Sequence, residues 1–232
     1  MKHYYGLFSG GFDSTLAILK IVAERSPLRL TPVFFNYGQK SIVQETKAVK
    51  DLIPSFRAFA SKINRETSIE DCIIVPLDNL FSWSKSAILQ GRPKEGDVGV
   101  ENRNMVLISC LASIIMASES EEDGESIEIV TGFTNGYYDT KLAFVQGLNG
   151  LFEKMGKRIK VITPLISDKQ REPVSELRLL KIARSLGVIS ILREKTWSCY
   201  FPQDGQICKD CDPCKKRRRI FTELAVKTAK HK

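Results

Sequence analysis

A short apolar run at residues 4–8 breaks at Ser9-Gly10-Gly11, after which Leu16, Leu19, Lys20 and Val22 resume with helical spacing. That is a strand, a tight glycine turn and a helix, and it commits the start of the chain to a βα unit. Strands and helices keep alternating from there. Residues 28–35 are apolar, aromatic and β-branched, and 42–63 form a helical region interrupted by Pro54. Runs at 72–75 and 127–131 read as buried strands, with a buried helix over 105–117 between them. A helix over 141–155, a strand over 159–162 and a helix over 174–186 follow. The expected fold class is α/β, a parallel sheet covered by helices on both faces. Residues 78–102, rich in Gly, Pro, Ser and charge, read as a long loop, a lid that orders over substrate.

A strand ending in Ser-Gly-Gly and turning into a helix gathers backbone N–H groups and the positive end of a helix dipole at one point, which suits an anion. Gly10 and Gly11 permit positive φ and close approach, and the hydroxyls of Ser9, Ser14 and Thr15 add donors. Asp13 would repel a phosphate unless a cation lay between them, so its expected work is to hold Mg²⁺ or to cap the helix. An ordinary glycine-rich turn capped by Asp13 is the alternative reading of the loop standing alone.

Four of the six cysteines crowd the far end of the chain. Cys199, Cys208, Cys211 and Cys214 give the spacing C-x8-C-x2-C-x2-C, and four thiolates suit a closed, tetrahedral, structural Zn²⁺. An iron–sulfur cluster is the alternative that spacing admits. Cys72 and Cys110, in apolar surroundings, are expected to be buried thiols. The metal would pin a segment with little else to bury and fix the start of a basic helix from Lys215. Its run Lys215-Lys216-Arg217-Arg218-Arg219 reads either as a solvated helix face or as a grip for nucleic acid, and the net charge of +8 does not choose between them. Residues 119–125 form an acidic stretch expected in an exposed loop. With 232 residues the chain can hold one α/β domain, 1–195, and a zinc-binding segment with the basic helix, 196–232. No apolar signal region follows Met1, and 105–117 is too short to cross a bilayer, so the expected location is the cytoplasm, with no membrane partner.

Ser-Gly-Gly-x-Asp-Ser at the first βα turn resembles the loop of the ATP-pyrophosphatase superfamily, whose members split ATP between the α and β phosphates. The kinase-type pattern G-x-x-x-x-G-K-[ST] is absent. Tyr37-Gly38-Gln39, Arg103-Asn104, Gly132, Pro164-Leu165-Ile166, and Thr196-Trp197-Ser198-Cys199-Tyr200 with the remaining cysteines and Arg217 extend the likeness. Over nearly its whole length the chain resembles the 7-cyano-7-deazaguanine synthase family, often called QueC, and the block at 196–200 is the most specific part. The resemblance implies an adenine nucleotide alpha hydrolase-like fold, usually as a homodimer. It implies ATP and Mg²⁺ at Phe8, Ser9, Gly10, Gly11, Asp13, Ser14, Thr15, Tyr37, Gly38 and Gln39, with Ser9, Asp13, Ser14 and Arg103 in catalysis. It also implies a deazaguanine-type substrate against Arg103, Asn104, Gly132 and Asp139, whose carboxylate is adenylated, converted to an amide by ammonia, and dehydrated to a nitrile after a second activation. Lys40 joins Arg103 as a candidate for neutralising the charge that develops, with a plain loop cation as its favoured reading.

The departures from the family fall where the base is recognised. The family's Asp-Tyr-Gly-Gln-Arg-His is Asn36-Tyr37-Gly38-Gln39-Lys40-Ser41 here, and its Pro before the Arg-Asn pair is replaced by Glu101-Asn102. Its longer segment ending in Tyr-Pro-Asp-Cys-Arg shortens to residues 133–141, where Asp139 either matches that Asp or caps a helix. An intact nucleotide and zinc frame with a changed substrate segment is also what a divergent QueC-like ligase of an antiviral defence system would show, one that stops at the amide or joins its group to a protein or nucleic-acid acceptor.

Overall fold

The computed structural model describes residues 1–63, 66–77, 80–92, 96–118, 126–167 and 171–229, with side chains to residue 222. Strand β1 (Lys2–Leu7) runs through the glycine turn into α1 (Phe12–Glu24), and β2 (Leu28–Asn36) returns parallel to β1 with Leu7 opposite Val33. Helix α2 (Ile42–Lys62) and the short strands β3 (Thr67–Ile69) and β4 (Ile73–Pro76) complete that half. The other half grows from the opposite edge of β1: α3 (Arg103–Ser118), β5 (Ile127–Val130), α4 (Leu142–Lys154) and β6 (Ile159–Ile162). Helices α5 (Glu176–Ser185), α6 (Ile189–Lys195) and α7 (Asp212–Ala229) follow.

Every strand pairing is parallel, in the order β3-β2-β1-β5-β6 with β4 also on β2. Right-handed crossovers in opposite directions from β1 put α1 and α2 on one face and α3 and α4 on the other. Consistently, α1 packs on α2, whereas α3 and α4 both meet the 3-10 turn Tyr138–Thr140. The order reverses between β1 and β5, and a sheet of this kind opens its ligand crevice at the strand ends beside that reversal.

Burial follows strand position. β1 and β2 are covered on both faces, and α1 is buried along nine of its residues, including Leu16, Leu19 and Val22. Pro32 sits inside β2 without cost for a specific reason. β3 pairs with Leu28–Leu30 and β4 with Val33–Asn36, so the missing N–H falls in the gap between them, while the next carbonyl, of Val33, accepts from Phe8 N on the β1 side at 2.9 Å.

Several elements differ from expectation. α2 is not broken by Pro54, because the proline lies on the exposed face and Val49, Leu52, Ile53 and Phe56 stay packed beneath it. β4 is an edge strand rather than a buried one, with Ile73 and Ile74 exposed by 39% and 43%. Cys72 and Cys110 are half-buried rather than buried, and burial pushes the Cys72 thiol up to about 12. α3 is buried on one side only, through Leu107, Ile108, Leu111 and Ile115, and shows Met105 and Met116 to solvent. The described part of the 78–102 loop is packed rather than open. Phe81, Ala87, Ile88 and Leu89 are buried, Lys40 N donates to Ile88 O at 2.8 Å and Gln90 N to Gly38 O at 2.7 Å. The acidic stretch 119–125 lies outside the described residues. No described helix is long and apolar enough to cross a membrane.

Candidate functional site

A cavity of about 750 Å³ opens where the topology puts the crevice, between the end of β1 and the end of β5. That volume suits a small-molecule ligand. Leu7, Phe8 and Ser9 form one wall with Gly11 to Ser14 at the start of α1, and Gly132 to Thr134 form the wall after β5. Tyr37, Glu45, Arg103 and Asn104 line it from α2, α3 and the β2 end, and Trp197, Ser198 and Tyr200 enter from the segment before the cysteines.

The glycine turn is built for an anion. Gly10 has φ of +70°, where an L side chain is strained, and a Cβ there would also come within 3.2 Å of Ala48 and Val49. Ser9 Oγ accepts from Gly11 N at 3.3 Å and shares a hydrogen bond with Ser14 Oγ at 3.1 Å, which folds the turn over the first residues of α1. Gly132 has a different reason. A Cβ at that position would lie 2.5 Å from Ser14 N and 2.6 Å from its Cα, so the segment after β5 approaches α1 as closely as backbone can. Gly132→Ala is therefore expected to push the start of α1 away, costing about 1–3 kcal/mol and weakening nucleotide binding with it. Thermal melts and nucleotide titration check this, and a variant unchanged in both would contradict it.

Asp13 enters the cavity from the first turn of α1. Its Oδ2 accepts from Lys216 Nζ at 2.7 Å, and its Oδ1 is buried with no partner among the described residues. A buried carboxylate oxygen without a hydrogen-bond partner, on a residue that lines the cavity, fits a cation ligand, and the residues around it fit Mg²⁺ with phosphate.

Arg103 lines the same cavity from the start of α3. It donates to Tyr37 Oη at 3.3 Å and lies 5.7 Å from that ring. Burial works against its charge, but the oxygens of Tyr37, Tyr200 and Asp139 around it outweigh burial and hold it protonated. Burial raises the Tyr200 phenol to about 12.

Glu45 completes this polar floor, accepting from Ser41 Oγ at 2.6 Å and from Gln39 Nε2 at 2.9 Å. Burial drives its carboxyl up, and the two hydrogen bonds and the Arg103 charge offset this only in part. A carboxyl raised in the fold makes stability fall as pH climbs from its unfolded value through the folded one, because ionising it costs more inside than outside. Glu45→Gln should thus gain on the unaltered protein as pH rises through that window. Melts at about pH 5 and about pH 8 test it, and a variant that loses ground at the higher pH would contradict the assignment.

The expected site residues fall into separate groups. Phe8, Ser9, Gly11, Asp13, Ser14, Tyr37, Arg103, Asn104 and Gly132 line the cavity. Gly10 and Thr15 sit behind the turn, Thr15 fully buried with its hydroxyl unpartnered among the described residues. Gln39 is buried as a brace, donating to Phe35 O and accepting from Tyr37 N, and Gly38 takes part through Gln90. Asp139 is buried outside the lining, near enough to act on the Arg103 charge. Lys40 Nζ donates to Arg92 O at 2.7 Å and lies over the Phe201 ring, so it ties down the neighbouring loop.

The cysteines converge. The ligand atoms of Cys199, Cys208, Cys211 and Cys214 all lie within 4.8 Å of one another, and all but Cys211 are buried. Tetrahedral thiolates around zinc sit about 3.8 Å apart, as bonds of about 2.3 Å require, so the cluster fits such an ion with small adjustment. Cys199 Sγ accepts from Cys208 N at 3.2 Å and Cys208 Sγ from Cys211 N at 3.4 Å, bonds that steady thiolates. Burial alone would raise Cys208, but backbone N–H donors from Cys211 and Asp210 outweigh it and bring the thiol down to about 7. The segment is sewn to the glycine turn, since Trp197 N donates to Gly10 O at 2.9 Å and the Phe12 and Phe221 rings meet edge-on at 6.0 Å.

The basic run has internal work to do. Arg217 donates to Thr196 Oγ1 and to the carbonyls of Leu192 and Arg193, and Arg219 pairs with Glu176. With Lys216 on Asp13, three of its five cations are engaged within the fold.

The family model described as "Queuosine biosynthesis protein QueC" matches residues 5–225. The chain belongs to the QueC family. Membership makes it an enzyme of an ATP-dependent ligase family. Proteins named 7-cyano-7-deazaguanine synthase are similar to it throughout. That of Nitratiruptor sp. is 29% identical over 95% of this chain and 94% of its own, and that of Campylobacter curvus is 29% identical over 98% and 96%. A Clostridium botulinum protein of the same name is 27% identical over 94% of each chain. Among solved structures, a 4-thiouridine synthetase in complex with RNA and ATP shares the fold at 17% identity and a TM-score of 0.51. The match covers 97% of this chain and about half, 52%, of that one.

Proposed function

We propose that this QueC-family enzyme adenylates the carboxylate of a 7-carboxy-7-deazaguanine-type substrate and passes the acyl group to ammonia. The observation that carries the reading is that one cavity is lined by both the glycine turn, with its unpartnered Asp13 oxygen, and the protonated Arg103. A carboxylate is a poor electrophile. When its oxygen attacks the α phosphate of ATP, pyrophosphate leaves and an acyl adenylate forms. Ammonia then adds to the carbonyl, AMP departs with the former carboxylate oxygen, and the amide remains. A second activation of the amide oxygen removes it as AMP and leaves the nitrile.

Positioning and charge neutralisation are what the chain supplies. The backbone N–H groups of the turn and the hydroxyls of Ser9 and Ser14 hold the departing pyrophosphate. Asp13 Oδ1 would hold Mg²⁺, which when bound neutralises that group. Arg103, kept charged beside Tyr37, orients the carboxylate and steadies the negative charge that builds on it. The four cysteines would hold a structural Zn²⁺ with all of their thiolates, so their work is to fix the wall beside the cavity and not to supply chemistry.

One observation favours a second reading, in which the same activation serves a different acceptor. The segment carrying the changed sequence exposes Tyr137 and Tyr138 by 66% and 62%, and buries Asp139 away from the cavity lining. A larger acceptor would find aromatic surface at that mouth.

Incubation with ATP, Mg²⁺, ammonium and the carboxylate tests both. AMP and pyrophosphate should appear in equal amounts, and mass spectrometry of the product separates acid, amide, nitrile and conjugate. Release of ADP and phosphate instead would overturn the mechanism.

A further inference from the structure

The engaged state of Lys216 is electrostatically odd. Its ammonium lies at the amino end of α1, where the helix dipole is already positive, and Arg103 faces the same cavity. One half-exposed carboxylate, Asp13, is all that it meets there in the described structure, with an N–O distance of 2.7 Å and side-chain exposures of 29% and 31%. Such a pair is worth little by itself. Its neighbours behave differently, because Arg217 and Arg219 spend their guanidinium groups on carbonyls of α6 and on Glu176. A lysine placed there instead has a flexible stem and a compact charge that can move while its Cα stays fixed. The Cα is fixed from two sides: Cys211 and Cys214 precede it by five and two positions, and Phe221 behind it packs on Phe12.

Resting on the reading of the cavity as an ATP site, we infer that Lys216 is a phosphate-binding residue of that site, delivered by the metal-pinned helix α7. Without nucleotide its ammonium holds Asp13. When MgATP binds, the carboxylate turns to the cation and Lys216 pairs with the β and γ phosphates, so the cysteine cluster sets nucleotide affinity through the residue two positions beyond Cys214. No bond is made or broken in this exchange of partners.

The test is titration calorimetry on the metal-loaded protein with a non-cleavable ATP analogue and with AMP, for the unaltered chain, Lys216→Met and Lys216→Arg. Lys216→Met should bind the analogue roughly tenfold or more weakly, the loss of one charge-assisted contact. AMP, which lacks the outer phosphates, should bind nearly as before. Lys216→Arg should keep most of the affinity, and all three proteins should hold the same metal content and melting temperature. Analogue binding by Lys216→Met that equals or exceeds that of the unaltered chain would show a lysine that serves only Asp13 and would overturn the inference. Equal losses for AMP and analogue would overturn it too. Failure of the unaltered chain to bind the analogue at all would instead remove the ATP reading and this inference together.

Discussion

Asp13→Ala is expected to abolish AMP release, a loss on the order of a thousandfold or more, from a protein that still folds. Asp13 lines the cavity, presents one oxygen to Lys216 and leaves the other buried and unpartnered among the described residues. A carboxylate facing phosphate only makes sense with a cation between them, so removing it removes the group that steadies the leaving pyrophosphate. Stability should change little. The pair with Lys216 is partly exposed and contributes about 1 kcal/mol at most, and deleting an unsatisfied buried oxygen relieves a cost of similar kind. A shift in melting temperature of no more than about 2–4 °C is the matching expectation. Asp13→Asn sharpens the test, since it keeps the shape and loses the charge. Release of AMP at an unaltered rate by either variant would rule out the role.

What was legible in the sequence was what local chemistry writes locally. The glycine turn, the alternation of strand and helix, and the crowding of four cysteines each occupy a short window, and each places its residues without reference to the rest of the chain. The sheet order then follows from handedness, and with it the crevice between β1 and β5. Misreadings arose where tertiary context decides. Pro54 breaks a helix on propensity but not on an exposed face. Ile73 and Ile74 look like a buried strand until β3 and β4 turn out to divide one edge of β2 between them. Asp139 stands apart from these, since it lies buried outside the cavity lining yet acts on the charge of Arg103. Glu45 and Lys216 are two of the lining residues whose position sequence reasoning missed. Glu45 carried one signal, an acidic residue four positions after Ser41 in the first turn of α2. Lys216 was hidden in a run of five cations, which reads as one patch until each partner is known.

The second large effect is expected from Cys211→Ser, which should lose metal, the order of the segment before α7, and nucleotide affinity together. A serine hydroxyl does not ionise near neutral pH and is a poor ligand for a soft or borderline ion, so three thiolates would remain around an incomplete site. Structural zinc sites bind with about 10–16 kcal/mol of apparent free energy, which is folding free energy for the segment they close. Residues 199–214 have few other means of holding their shape. Phe201 and the buried cysteines supply their packing, and the one paired bridge is between Gln203 and Gln206. The damage should travel, because Trp197 N holds Gly10 O on one side and Lys216 holds Asp13 on the other. Elemental analysis, limited proteolysis and the near-ultraviolet signal of Trp197 measure the three consequences separately. A variant that retained a full equivalent of metal would show that Cys211 is not a ligand. One that lost the metal but bound nucleotide normally would show that the cluster and the glycine turn are energetically independent, despite the contacts that join them.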